Sequence, residues 1–200
     1  MNKNQALLVV DVQNDFCKAG ALAVPEGEKV VPVLNKYIDY FSGQGLSVFF
    51  SRDWHPKETK HFKKYGGLWP AHCVQQTWGA EFHPDLKVPK ESLVVSKGMS
   101  PQKDAYSDFE AYDAKGREFA KVLEERGIKE LFVGGLATDY CVKFSVLDAL
   151  RLGWGVTLLT DAMKGVNLKP DDSQRSIEEM VSRGAKKISF LELPQCPATP

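Results

Sequence analysis

Glu130-Leu131-Phe132-Val133-Gly134-Gly135-Leu136-Ala137-Thr138-Asp139-Tyr140-Cys141 is the stretch on which the reading of this chain turns. Glu130 to Val133 is a short apolar run with the character of a buried strand, and from Val142 to Leu152 apolar residues recur at helical spacing. A thiol therefore stands where a strand gives way to a helix. A helix N-terminus carries partial positive charge and free N–H groups, which favour a thiolate. The same groups can receive an oxyanion. The competing reading of Cys141 is a buried structural cysteine, a common fate for free thiols, and this segment alone does not choose between them.

Outward from this turn, strand-like and helix-like segments alternate. Strands are expected at Ala6 to Val12, Leu46 to Ser51, Ser92 to Ser96, Glu130 to Val133, Gly155 to Thr160 and Lys187 to Phe190. Helices are expected at Glu28 to Phe41, Ala114 to Arg126, Cys141 to Leu152 and Ser173 to Arg183, with Gly43, Gly127, Gly153 and Gly184 as stops. This order implies right-handed crossovers in an α/β fold: a three-layer αβα sandwich around a mainly parallel central sheet of about six strands. One domain is expected over residues 1–200, with a long functional loop at 53–89 and a frayed tail at 194–200. In such sheets ligands bind beyond the carboxyl ends of the strands. That rule selects Asp11, Asp53, Lys97 and the Cys141 turn.

The chain has 200 residues, and 26 lysines and arginines balance 26 aspartates and glutamates. Net charge near zero gives no electrostatic case for nucleic acid or an anionic membrane as partner. No apolar run approaches the roughly 20 residues a membrane helix needs. Cys17, Cys73, Cys141 and Cys196 are widely spaced, with no Cys-x-x-Cys pair, which points to a reducing cytoplasm rather than a disulfide framework. Homo-oligomer formation is left open.

Asp11, after Leu7-Leu8-Val9-Val10, is a carboxylate at the end of a buried strand. It needs partners there, and it could take a proton from Cys141 and return it to a leaving amine; a turn aspartate is the plainer alternative. Lys97, after Leu93-Val94-Val95-Ser96, could stabilise both anions, although by itself it reads as a surface lysine. All four histidines (His55, His61, His72 and His83) fall in the one long loop. Asp53 and His55 share one side of an extended segment. One carboxylate and up to three imidazoles suit zinc, iron or manganese; scattered loop histidines are the alternative, and His83 looks structural. Phe16, Trp69 and Tyr106 lie near these positions in sequence and could line a pocket for a flat ring, or be ordinary core.

Several motifs stand in order along the chain: Val10-Asp11-Val12-Gln13-Asn14-Asp15-Phe16-Cys17, Arg52-Asp53-Trp54-His55-Pro56, Trp69-Pro70-Ala71-His72-Cys73-Val74, Lys97-Gly98, Ala105-Tyr106-Ser107-Asp108-Phe109 and Gly135-Leu136-Ala137-Thr138-Asp139-Tyr140-Cys141-Val142. Together they resemble the nicotinamide-cleaving branch of the isochorismatase-like cysteine hydrolase superfamily. The resemblance implies that nicotinamide, with pyrazinamide as a close analogue, is hydrolysed to the acid and ammonia in NAD salvage. It implies Cys141 as nucleophile, Asp11 as proton carrier and Lys97 as third triad member. It further implies one divalent metal ion, zinc ahead of iron or manganese, on Asp53, His55 and His72, with His61 as an additional ligand that varies within the family. In that family the metal takes the pyridine nitrogen of the substrate. Phe16 and Trp69 match the residues flanking the ring, and Tyr106 matches a pocket wall. The backbone N–H groups of Ala137 and Cys141 match the oxyanion hole, and a cis peptide is implied at Leu136-Ala137. Another amidohydrolase with the same triad, acting on a carbamoyl or other small carboxamide, is the nearest rival; it would not need the histidine cluster.

Overall fold

The computed structural model describes residues 2–194. Seven strands form one sheet: β1 (Gln5–Val10), β2 (Ser47–Asp53), β3 (Leu93–Lys97), β4 (Tyr112–Asp113), β5 (Glu130–Leu136), β6 (Gly155–Lys164) and β7 (Lys186–Ile188). Their order is β4-β3-β2-β1-β5-β6-β7. Every pairing is parallel except β3 with β4. Four helices cover the sheet: α1 (Val30–Gly43), α2 (Phe119–Glu125), α3 (Lys143–Arg151) and α4 (Asp172–Ser182).

Alternation along β1 makes the layers. Leu7 and Val9 pack with Leu34, Ile38 and Phe41 of α1 on one face. Ala6, Leu8 and Val10 pack with Phe119 and Val122 of α2, Val146 of α3 and Met180 of α4 on the other. Both faces of β1 are apolar because both are buried, as parallel strands require. The sheet runs outward in both directions from β1, so the chain order switches direction there. A crevice opens at the carboxyl ends of β1 and β5, the place where such sheets bind ligands.

The expected αβα sandwich is present, with differences at element ends: β6 runs on to Lys164 and α3 starts at Lys143. β4 adds a seventh strand, too short to show a period. The helix expected at Ala114 to Arg126 begins only at Phe119, because residues 113–118 form a turn in which the Asp113 carboxylate accepts the N–H groups of Lys115 and Arg117. β1 ends at Val10 and not Val12, because Asp11 has φ +48° and turns the chain out of the sheet; aspartate is one of the residues that tolerates this region. The frayed tail expected at 194–200 falls, apart from Pro194, outside the described residues, as does Cys196. Among the described residues no helix is long and apolar enough to cross a membrane.

Candidate active site and metal centre

β1 and β5 run in register up to Val10 opposite Gly135. At Gly135 (φ +128°) a Cβ would lie 2.1 Å from the Val10 carbonyl oxygen, so only glycine lets the two strand ends meet this closely. Beyond this contact β1 delivers Asp11, and β5 delivers the Leu136-Ala137 peptide, which is cis. Thr138–Val142 then makes one wide π-type turn, kinked at Tyr140, before α3 begins. Cys141 lies in this turn and is buried.

On the other side of β1, β2 and β3 pair so that Asp53 stands opposite Lys97. The Lys97 ammonium is completely buried and donates to Asp11 Oδ2 and to Asp53 Oδ1, each at 2.5 Å. The Ser51 hydroxyl donates to the other Asp11 oxygen at 2.8 Å. One oxygen each of Asp11 and Asp53 and the Cys141 sulfur lie within 4.8 Å of one another. Lys97 is already the cation of this group, and it engages only Oδ1 of Asp53, leaving Oδ2 toward His55 and His72. Gln13 fixes the backbone of Asp53, donating to its carbonyl and accepting its N–H, both at 2.8 Å.

The electrostatics separate the two aspartates. Burial raises Asp11, Lys97 opposes and Asp53 adds to the rise, so Asp11 ends above the ordinary carboxylate range. Burial also acts against ionised Asp53, but Lys97, His55 and His72 together hold it below that range. Burial disfavours the charged Lys97, yet Asp11 and Asp53 keep it firmly protonated. Burial drives the Cys141 thiol well above its usual value, Lys97 opposes, and Asp11, Asp53 and Asp108 add to the rise. The resting group is therefore a thiol. Burial thus opposes the thiolate that a helix terminus favours, and Asp11 is placed to take the proton.

The long loop after β2 folds back over the sheet, tied down by the buried Asp15, whose carboxylate accepts the N–H groups of Ala21 and Cys73. It brings three histidines together. The ring centroids of His55 and His61 stack 4.5 Å apart, with His72 at 5.0 and 5.2 Å from them. One nitrogen from each ring falls within 4.8 Å of the others. Asp53 Oδ2 lies 3.5 Å from His55 Nε2 and 3.9 Å from His72 Nε2.

The residues fit a metal ion. His55 Nδ1 donates to the Gly98 carbonyl at 3.0 Å and His72 Nδ1 to the Pro70 carbonyl at 2.8 Å. A carbonyl only accepts, so both Nδ1 atoms carry hydrogen and both Nε2 atoms offer lone pairs toward Asp53. His55 Nε2 is buried without a hydrogen-bond partner. Burial lowers His72 to about 4, with Asp53 opposing, and burial and then His55 lower His61. Neutral imidazole is the ligating form. His61 Nδ1 lies 2.9 Å from Asp104 Oδ1 but out of hydrogen-bond alignment.

Phe16, Trp69, Tyr106 and Ala137 line one pocket with Asp53, His61, His72 and Cys141. The Trp69 indole N–H donates to the Tyr106 hydroxyl at 2.9 Å, which fixes one wall. Every residue singled out in the sequence for the triad, the metal or the ring is thus in one place. His83 stands apart, accepting the Asp85 N–H. The sequence reading missed Tyr140 and Val166, which also line the pocket, and Ser51 and Asp108, which adjoin the triad. The Asp139 carboxylate holds Val166 by accepting its N–H and that of Asn167. None carries a sequence signal beyond its place in a motif or loop.

The isochorismatase domain model matches residues 5–190. The Escherichia coli nicotinamidase is 44% identical over 206 residues, covering 94% of this chain and 96% of the relative. A pyrazinamidase of Pyrococcus horikoshii, solved in complex with zinc, superposes with a TM-score of 0.87 at 46% identity, covering 94% of this chain and 99% of that one. A protein of L. infantum in complex with nicotinate superposes with a TM-score of 0.85 at 31% identity over 96% of both chains.

Proposed function

The chain belongs to the isochorismatase family, and from that premise we propose how it hydrolyses nicotinamide to nicotinate and ammonia. Asp11, Lys97 and Cys141 form the catalytic triad, and Asp53, His55, His72 and His61 hold one divalent metal ion. The observation that carries this reading is the single buried ammonium of Lys97, 2.5 Å from both Asp11 and Asp53, joining the thiol to the histidine cluster. The relatives' activity and their complexes with nicotinate and zinc support the substrate and the metal.

When bound, the metal supplies a Lewis-acidic anchor for the ring nitrogen of the substrate. Zinc suits three imidazoles and a carboxylate. Phe16 and Trp69 flank the ring and Tyr106 closes its wall, so the carboxamide is presented to Cys141. Asp11, made more basic by burial, takes the thiol proton as sulfur bonds to the carboxamide carbon. Lys97 offsets the charge. The N–H groups of Ala137 and Cys141 receive the oxyanion, one such donor being worth about 2.7–4 kcal/mol. The C–N bond then breaks, and the proton on Asp11 leaves with ammonia. Water attacks the thioester, giving its proton to Asp11. The C–S bond breaks, the Asp11 proton returns to sulfur, and nicotinic acid departs and gives its carboxyl proton to solvent. Pyrazinamide, with a ring nitrogen and a carboxamide, fits the same arrangement.

The setting is NAD salvage in the cytoplasm, and the whole chain acts as one domain whose loop 53–89 carries the metal ligands. Carbamoyl hydrolysis, the rival reading, leaves the three buried histidines without a role. Ammonia release from nicotinamide, before and after metal stripping, tests the proposal. Release that falls on stripping and returns with zinc is expected; release unaffected by verified stripping removes the metal from its role, and none from metal-loaded protein overturns the substrate.

A further inference from the structure

One buried carboxylate beside the pocket has no part in the mechanism. Asp139 lies in the nucleophile turn, two residues before Cys141. Its Oδ1 accepts the Val166 N–H and its Oδ2 the Asn167 N–H, both at 2.8 Å. Val166 and Tyr140, the residue after Asp139, are walls of the same pocket as Cys141. The segment 165–167 is fitted to this seat. At Gly165 a Cβ would lie 2.8 Å from Asp139 Oδ1 and 1.9 Å from Ser173 Oγ, so only glycine passes there. Asn167 takes the left-handed conformation (φ +53°), which asparagine tolerates, and its side-chain oxygen accepts the Ser173 N–H in the first turn of α4 at 2.9 Å.

β6 ends at Lys164, paired with Leu136 at the end of β5, so this segment leaves the sheet beside the turn that carries the thiol. A connecting segment is ordinarily more mobile than the elements it joins. A carboxylate that takes two successive N–H groups holds it in one conformation, because bonds to an ionised acceptor are stronger than neutral ones. We propose that Asp139 is a positioning residue that seats Val166 against the pocket and so makes this valine the size limit on the substrate ring. The wall is then tied to the nucleophile: a ring that pushed Val166 outward would have to break bonds to the turn holding Cys141. The substrate class favoured is a six-membered heteroaromatic carboxamide with no substituent on the edge facing Val166. Asp139 carries no proton in the reaction and joins no bond-making step. The inference rests on the nicotinamide reading proposed above.

Asp139→Asn keeps the shape but offers one acceptor oxygen, so one of the two N–H bonds is lost. Zinc-loaded parent, Asp139→Asn and Val166→Ala are compared on nicotinamide and on its analogues methylated at each ring carbon in turn. Both variants should raise the KM of nicotinamide more than they lower kcat. Both should also raise kcat/KM of the same methylated analogue, relative to nicotinamide, by about 10-fold or more, the worth of one methyl-sized change in an apolar pocket. A profile changed by Val166→Ala but not by folded Asp139→Asn, or changed by neither, overturns the proposal. So does a fall in kcat alone in Asp139→Asn, which would place its action on the nucleophile. Should Asp139→Asn not fold, amide hydrogen exchange in the parent decides: the N–H groups of Val166 and Asn167 should be protected, and exchange at both as fast as in an open loop overturns the seat. Because exchange is read without substrate, it tests the seat apart from the nicotinamide reading, which ammonia release by the parent decides.

Discussion

At the scale of single residues, the site is a buried contest for one cation. Lys97 satisfies Asp11 and Asp53, and in the proposed mechanism the thiol of Cys141 loses its proton within that contest. Cys141→Ala should lower ammonia release by roughly 10⁴-fold or more, while zinc content and nicotinamide binding, followed by metal analysis and calorimetry, survive. Alkylation of Cys141 in the parent should inactivate it with the metal retained; activity surviving full alkylation would make the thiol structural. Removing a ligand should do the opposite. His72→Ala should weaken zinc binding by at least ~100-fold, more than the loss of an outer partner costs, as measured by competition with a chelator. Cys141 was legible because its turn separates a strand pattern from a helix pattern. Asp108 was not, because an aspartate after a serine in a loop looks like any turn residue until the fold places it beside Lys97.

At the scale of elements, strand ends do most of the positioning. β2 and β3 place Asp53 against Lys97 by register alone. The residue after β3, Gly98 (φ +67°), offers its carbonyl to His55, and a Cβ there would lie 2.4 Å from His55 Cε1. Gly98→Ala should push the imidazole out of line and lose metal affinity, measured by zinc titration, with far-ultraviolet circular dichroism unchanged. Unaltered affinity would mean that the ring is held elsewhere. Six of the seven strands and three of the helices were readable from periodicity and glycine stops. The start of α2 was not: Asp113 binding the following N–H groups imposes a turn where propensity allowed a helix. The long loop was recognisable by its histidines, but its path depends on the buried Asp15, whose bonds to Ala21 and Cys73 no spacing rule reveals.

At the scale of the molecule, buried carboxyls with raised values link folding to proton uptake. Burial raises the Asp11 and Asp108 carboxyls above their unfolded values. From the ordinary aspartate value, about 4, upward, the native state binds more protons than the unfolded chain, so stability falls as pH rises. Asp53, shifted the other way, adds stability above that value and loses it only as pH falls through its own lower one. Urea midpoints of metal-free protein should therefore decline from weakly acid to alkaline pH, less steeply in Asp108→Asn; a parallel decline in both would place the linkage elsewhere. The bridge that Lys97 makes between Asp11 and Asp53 also binds the histories of those two positions. A substitution at either redistributes the ammonium to the other, so their effects are epistatic. In a double-mutant cycle on Asp11→Asn and Asp53→Asn, the alkylation rate of Cys141 should depart from additivity by about 0.5–3 kcal/mol. On the proposed roles, a lineage that relinquished its metal could not alter the histidine side alone, because the nucleophile would inherit the imbalance.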